Sequence, residues 1–270
     1  MLAPLFWPVG PAPYQTTSEP VVWCHWPRYL PWVTVTTSVV ILCVFYIGGQ
    51  ELSDALAFRW SYSAWRRLLS LFTLQLAHGD AEHLWGNLLT ILVGGSVYEL
   101  LHGGGRVACV YWAAGVTGAC MQLVERSPTN LYSLRGASGA AFGILGAYLG
   151  AIAVNADTFV RIYEHYISEL PYSNRKARLL KLLCDVLLDR WVVQLYLFTC
   201  SAFILMDITL KNDSSIAHVA HVGSFAYGAV LGLAVSHNRI ASPCEVCTRR
   251  VAIATCMGAT VALVGIVCTA

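Results

Sequence analysis

Residues 136–150, GASGAAFGILGAYLG, contain no charged side chain and carry glycine or alanine at most positions. They belong to a longer apolar window, residues 137–155, and a helix that crosses a bilayer core needs about 20 such residues. Gly143, Gly146 and Gly150 give this helix a face of small side chains, which lets a second helix approach closely. The stretch therefore predicts a membrane-spanning helix that packs tightly against a neighbour.

The composition of the whole chain agrees with a membrane protein. The 270 residues are 57% hydrophobic and only 12% charged, and the mean hydropathy is +0.59. Soluble globular chains carry about 25% charged residues, so too little charge is present to cover a water-facing surface. The formal net charge of +2 argues against a nucleic-acid partner, which normally requires a basic face.

Windows of the length needed to cross a bilayer recur along the chain, and they predict about seven spans. They are residues 31–49, 83–101, 106–125, 137–155, 190–209, 216–236 and 250–269. We expect an all-α membrane bundle without a soluble domain. Residues 1–30, rich in proline and aromatic residues, are expected to form a short cytosolic or interfacial segment without a cleavable signal peptide.

The distribution of Lys and Arg predicts the orientation of the bundle. With a cytosolic N-terminus, 11 of the 17 basic residues fall on the cytosolic side. Two connecting segments have amphipathic patterns. In residues 50–82, Leu68, Phe72 and Leu76 share one helical face, and residues 174–189 alternate basic and leucine side chains. Each predicts a helix at the membrane surface, with plain surface packing as the alternative.

The cysteines predict neither a metal site nor a disulfide framework. Most of the ten lie inside apolar windows, where cysteine acts as a small hydrophobic residue. Cys244 and Cys247 form a CxxC pair without a second pair or a nearby histidine to complete a zinc site. We expect no metal and no cofactor.

Two polar residues stand at the starts of predicted spans that carry small-residue faces. Ser138 lies between Gly136 and Gly139, and His221 precedes Ser224, Gly228 and Gly232 at four-residue spacing. Polar groups inside spans are unfavourable and usually functional. Both spans start on the same side of the membrane, so a Ser–His pair can form in which the imidazole takes the serine proton. His218, one turn earlier, is the alternative base, and a structural serine bonded to its own helix is the alternative for Ser138.

His83 and Asn87 start the second predicted span four residues apart, on one helical face. They lie at the same membrane level as Ser138 and His221 in the proposed topology. Both side chains can donate hydrogen bonds to an oxyanion. The alternative is a hydrogen-bonded pair at a helix end.

Together these residues resemble the rhomboid family of intramembrane serine proteases. The resemblance runs from about residue 60 to 236. It rests on Trp65-Arg66, on HxxxN at His83 and Asn87, on GxSG at Gly136–Gly139, and on Ala220-His221 with Gly228. It implies a six-helix transmembrane core at 31–236, followed at 237–270 by a linker and a seventh helix, as in rhomboids of the eukaryotic secretory pathway.

The resemblance also implies roles for individual residues. Ser138 would be the nucleophile and His221 the general base of a dyad without a carboxylate. His83, Asn87 and the backbone N–H of Ser138 would form the oxyanion hole. Phe142 would pack beneath His221, and Glu99 and Arg106 would occupy structural positions. Ser224 departs from the usual glycine, and its hydroxymethyl group would widen the helix gap or bond to the fourth span.

The implied activity is cleavage of single-span transmembrane proteins in or near their spans, within the lipid bilayer. The polar loop 207–217 would cap the site. A catalytically inactive rhomboid-like chaperone or dislocation factor is the alternative, and a small transporter using histidines as a proton relay is a second one. No arginine-rich transit peptide is present, which favours the secretory pathway or plasma membrane over the mitochondrion. The sequence does not indicate an oligomeric state.

Overall fold

The computed structural model describes residues 31–126, 133–151, 217–235 and 243–270. Its helices are α1 (Trp32–Tyr46), α2 (Gly49–Leu56), α3 (Ala64–Thr73), α4 (Ala81–Thr90), α5 (Ser96–His102), α6 (Gly104–Arg126), α7 (Ser138–Ala151), α8 (His218–Val235) and α9 (Pro243–Thr269). A 3₁₀ turn at Leu74–Leu76 follows α3, and a π-helical turn at Ile91–Gly95 joins α4 to α5. The strands are β1 (Phe58–Arg59) and β2 (Ser133–Leu134).

α1, α6, α7, α8 and α9 lie largely within predicted spans, the second predicted span consists of α4, the π-helical turn and α5, and α2 and α3 lie in the segment between the first two spans. By length and composition, α6 and the Arg250–Thr269 part of α9 can cross a bilayer, and α1 with α2 makes a third span if this pair, bent by 118°, is counted as one. α7 and α8 are shorter apolar helices in the described residues. The chain is thus an all-α membrane protein. The predicted fifth span at 190–209, the surface helix at 174–189 and most of the loop at 207–217 lie outside the described residues.

Helix α6 is the central element of the described bundle. It packs against α1, α3, α5, α8 and α9. Its buried face is built largely from small residues, among them Ala114, Gly115 and Gly118, so neighbouring helices come close to its backbone. On one side it shares an apolar cluster with α4, α7 and α8, which includes Leu88, Ile144 and Tyr227. This cluster packs α4, α7 and α8 together beside α6.

The segment between the first two spans is more structured than the sequence predicted. It contains α2, α3 and β1, and β1 pairs antiparallel with β2 so that Phe58 faces Leu134. Of the helical face predicted from residues 68, 72 and 76, Phe72 is exposed, and Leu68 and Leu76 are partly buried. On α3, Trp65 and Leu69 are exposed beside Phe72. The stripe at 65, 69 and 72 still suits the membrane interface.

A buried carboxylate on α5 caps the first helix. The two oxygens of Glu99 accept hydrogen bonds from the backbone N–H of Val33 (2.9 Å), the N–H of Thr34 (2.8 Å) and the Thr34 hydroxyl (2.8 Å). The first N–H groups of a helix have no partner within the helix, and a negative charge there is favourable. Glu99 therefore links α5 to α1 by three charge-assisted bonds.

Replacing Glu99 with glutamine is expected to destabilise the bundle by about 1–3 kcal/mol, because one oxygen becomes an NH₂ group that faces N–H and O–H donors. Glu51→Gln is the matched control, since Glu51 is exposed on α2. The free energy of unfolding in detergent, measured for both variants, tests this. Equal stability of the two variants would show that Glu99 does not act as a cap.

Helix α9 is fastened to the core by hydroxyl groups. Thr260 Oγ1 lies 2.8 Å from Thr117 Oγ1 on α6 and 3.0 Å from the Tyr227 hydroxyl on α8. Near the other end, Arg67 of α3 donates to the carbonyl of Val267 at 3.1 Å. The final helix thus contacts α3, α6 and α8, and it is part of the folded bundle.

Candidate active site

The residues that precede α7 adopt a conformation that requires glycine. Gly136 has φ +123°, a region that side chains rarely adopt, and a Cβ atom there would lie 2.6 Å from Cε1 of His83. Its N–H donates to the Leu74 carbonyl at 2.9 Å. Gly136 therefore allows the turn and allows the His83 ring to lie directly against the backbone before Ser138.

Ser138, the first residue of α7, and His221, in the first turn of α8, lie within hydrogen-bonding distance. Ser138 Oγ is 2.8 Å from His221 Nε2, and both residues are half-buried. The Phe142 ring stacks on the imidazole with a centroid distance of 4.5 Å and an interplanar angle of 12°. Of the two candidate bases, His221 is thus the one the structure brings to Ser138, with Phe142 restricting its ring. His218 is the first residue of α8 and is half-buried.

Glycines bring α7 and α8 into backbone contact. A Cβ on Gly228 would lie 1.9 Å from the Gly143 carbonyl oxygen, and one on Gly146 would lie 2.0 Å from the Phe225 carbonyl oxygen. A Cβ on Gly232 would lie 2.1 Å from the Ala147 carbonyl oxygen. The two small-residue faces that the sequence predicted therefore meet, and this close packing sets the distance between the helices that carry Ser138 and His221.

Gly139 and Ser224 contact a third helix. The Ser224 hydroxyl is fully buried and donates to the Ala114 carbonyl of α6 at 2.9 Å. Of the two expected consequences of Ser224, a wider helix gap or a bond to the fourth span, the hydrogen bond does form, but it is made to the third predicted span, α6. A Cβ on Gly118 of α6 would lie 1.9 Å from the Ser224 hydroxyl, so Gly118 leaves the space that this extra side chain occupies. A Cβ on Gly139 would lie 3.1 Å from the same hydroxyl.

A glutamine that the sequence analysis missed caps the helix of His221. Gln122 of α6 is 1% exposed, and its Oε1 accepts from the backbone N–H groups of Val219 (3.1 Å) and Ala220 (3.3 Å). These are N–H groups of the first turn of α8, which lack partners within the helix. Gln122 thereby fixes the start of α8 against α6. The sequence feature that could have identified Gln122 is its uncharged polar side chain inside the third predicted span.

His83 lies in the first turn of α4 and Asn87 one turn further along the same helix, so the two residues share a helical face, as their spacing indicated. The Asp80 side chain caps this helix by accepting from the His83 N–H at 2.8 Å. The His83 ring lies against Gly136, while Asn87 is buried and its Nδ2 lies 3.0 Å from Nε2 of a third histidine, His78. His83 thus contacts the segment before Ser138 directly, and Asn87 contacts it through His78, whose Nε2 also accepts from the N–H of Ala137.

His78, which the sequence analysis did not single out, lies just before α4 and is fully buried. Burial, together with the neighbouring His83, lowers the pKa of His78 from its usual 6.5 to about 4, because desolvation disfavours the charged ring. Its imidazole is therefore neutral at pH 7. The sequence signal was a histidine five residues before the HxxxN pattern.

The fold and this site define an integral membrane protein in which a serine hydroxyl and an imidazole meet among apolar helices. Comparison with known families gives the same class. The model of the rhomboid domain matches residues 63–238, more than half of the chain. The chain belongs to the rhomboid family.

Individual relatives agree with this assignment. Rhomboid protease GluP of Bacillus subtilis is 40% identical over 97 residues, which cover 36% of this chain and 18% of the relative. Rhomboid-related protein 2 of Mus musculus is 28% identical over 135 residues, or 50% of this chain and 39% of the relative. RHOMBOID-like protein 4 of Arabidopsis thaliana is 29% identical over 167 residues, or 62% of this chain and 33% of the relative. The chain spans less than half the length of each of these relatives.

Proposed function

We propose that this protein is an intramembrane serine endopeptidase that cleaves transmembrane-anchored proteins in or near their membrane spans. The observation that carries the proposal is the 2.8 Å contact between Ser138 Oγ and His221 Nε2. A serine hydroxyl is a weak nucleophile until an adjacent base accepts its proton. The contact supports His221 as that base, and the stacking of its ring on Phe142 supports an orientation with Nε2 toward the hydroxyl.

The reaction follows acyl-transfer chemistry. Ser138 Oγ attacks the scissile carbonyl carbon while its proton passes to His221 Nε2. The carbonyl oxygen becomes an oxyanion, for which His83, Asn87 and the Ser138 N–H are the proposed donors. His221 then gives its proton to the leaving amine as the peptide C–N bond breaks. A water molecule, deprotonated by His221, hydrolyses the ester on Ser138 and restores both residues.

The substrate class follows from the location of the site. A transmembrane helix satisfies its backbone groups internally, so its carbonyls are shielded until the helix unwinds locally. We therefore propose single-span proteins with helix-breaking residues near the end of the span as substrates. The domain division at 31–236 and 237–270, a cytosolic N-terminus and a location in the secretory pathway or plasma membrane belong to the same proposal. The family match at residues 63–238 covers the part of the proposed core from residue 63 onward.

Cleavage of a single-span test protein in liposomes tests the proposal. Wild type is expected to produce two fragments whose new termini, found by mass spectrometry, lie in or near the span, and Ser138→Ala is expected to produce none. Fragments of equal yield from Ser138→Ala would contradict the proposal. Failure of wild type to cleave a panel of helix-broken substrates would favour an inactive rhomboid-like chaperone or dislocation factor.

A further inference from the structure

His78 is a buried histidine for which the proposed reaction has no role. Both its backbone groups are tied to one side chain, since the Ser53 hydroxyl donates to the His78 carbonyl at 2.7 Å and accepts from the His78 N–H at 3.0 Å. The backbone is thereby fixed between α2 and α4. These bonds leave the imidazole free to interact with other parts of the site.

One nitrogen of this imidazole contacts two separate elements. Nε2 of His78 lies 3.0 Å from Nδ2 of Asn87 on α4, and the backbone N–H of Ala137 donates to the same Nε2 at 3.4 Å. A backbone N–H can only donate, so Nε2 must be an acceptor and the ring proton must lie on Nδ1. The Asn87 amide then also donates to Nε2. The lowered pKa of His78 agrees with a ring that stays neutral and keeps this acceptor.

The two donors belong to the parts of the site that the proposed reaction uses for the oxyanion. The Asn87 amide has two hydrogens, so one can bind His78 while the other remains available to the oxyanion. Ala137 directly precedes Ser138, whose N–H is a proposed oxyanion donor. We propose that His78 is a positioning residue. Its acceptor Nε2 fixes the position of the Asn87 amide relative to the Ala137–Ser138 backbone. This inference rests on the proposed function.

Substitutions of similar size separate positioning from simple packing. His78→Gln keeps a hydrogen-bond acceptor, whereas His78→Met fills similar space with only a weak one. His78→Met is expected to lower kcat on the order of 10–100-fold, the loss seen when a group that orients a functional side chain is removed. KM is expected to stay within about threefold because His78 does not contribute to substrate binding. His78→Gln is expected to recover most of that loss. His102→Met is the matched control, since the His102 ring contacts Tyr98 at the far end of α5, and the kcat of this variant is expected to be unchanged.

A double-mutant cycle with Asn87 tests whether the effect passes through that residue. If His78 acts by holding Asn87, the kcat of His78→Met with Asn87→Ala is expected to fall little below that of Asn87→Ala alone. The assay is cleavage of the single-span substrate in liposomes, with the thermal unfolding of each variant measured beside it.

Each outcome has a defined meaning. Equal kcat values for His78→Met and His78→Gln, or fully multiplicative losses in the cycle, would overturn the inference while leaving the proposed protease function intact. If His78→Met fails to fold, the kcat of His78→Gln is the deciding measurement. A loss of kcat as large as that of Asn87→Ala would overturn the inference. A loss of less than about tenfold would support it. If wild type cleaves nothing, or Ser138→Ala cleaves equally, the proposed function fails and the inference fails with it.

Discussion

Replacing His221 with alanine is expected to lower kcat on the order of 10⁴-fold or more, the scale seen when a nucleophile loses its base. The proton of Ser138 would have no acceptor at the 2.8 Å position that Nε2 now occupies. His218→Ala is expected to change kcat by less than about tenfold, because His218 takes no part in proton transfer in the proposed reaction. Turnover of the single-span substrate in liposomes, at saturating substrate, measures both.

Folding of the two variants is the necessary control, because His221 also stacks on Phe142. His221→Gln keeps a polar side chain of similar length but removes the base, and it is expected to be as inactive as His221→Ala. Loss of activity in His218→Ala with retention in His221→Ala would assign the base to His218. It would also mean that the contact with Ser138 is structural.

Gly228→Ala is expected to destabilise the bundle by about 1–3 kcal/mol or more. It is also expected to lower kcat by a factor larger than this destabilisation alone explains. The added methyl group would lie 1.9 Å from the Gly143 carbonyl oxygen, so α7 and α8 must move apart. These helices carry Ser138 and His221, and a shift of about 1 Å in catalytic geometry can reduce the rate about 100-fold. Thermal unfolding and kcat of the purified variant measure the two effects.

Gly258→Ala is the matched control on α9, where an added methyl group meets nothing within 4 Å. Alanine favours a helix over glycine by about 1 kcal/mol, so this variant is expected to be unchanged or slightly more stable. If Gly228→Ala were as stable and as active as Gly258→Ala, the contact between α7 and α8 would not set the geometry of the site.

The parts of the fold that depend on local patterns were predictable from the sequence. Apolar windows predicted α1, α6 and α9 because the length of a span is fixed by bilayer thickness. Four-residue spacing of small side chains predicted that α7 and α8 pack closely, and Gly143 and Gly228 do meet. The proximity of Ser138 to His221 was expected from the predicted topology, in which both helices begin on the same side of the membrane.

The parts that depend on contacts between distant residues were not predictable in the same way. Gln122 caps α8 by accepting from the N–H of Val219, 97 residues further along the chain. Ser224 donates to the carbonyl of Ala114, 110 residues away. A single sequence shows that such residues are polar but does not show which groups they meet. The strand pairing of Phe58 with Leu134 was missed because two-residue strands have no measurable periodicity. His78 was missed because its position five residues before the HxxxN pattern does not show that its ring reaches Asn87 and the N–H of Ala137.

The measurement that tests the central claim most directly is the covalent labelling of Ser138 by a fluorophosphonate, a reagent that reacts with activated serine hydroxyls. Wild type, Ser138→Ala and His221→Ala would be labelled in liposomes at equal protein concentration, and the adduct would be located by peptide mass spectrometry. If His221 activates Ser138, the adduct is expected on Ser138 in wild type and is expected to be absent from both variants. Labelling of Ser138 at the same rate in His221→Ala, or labelling of another serine instead, would contradict the account.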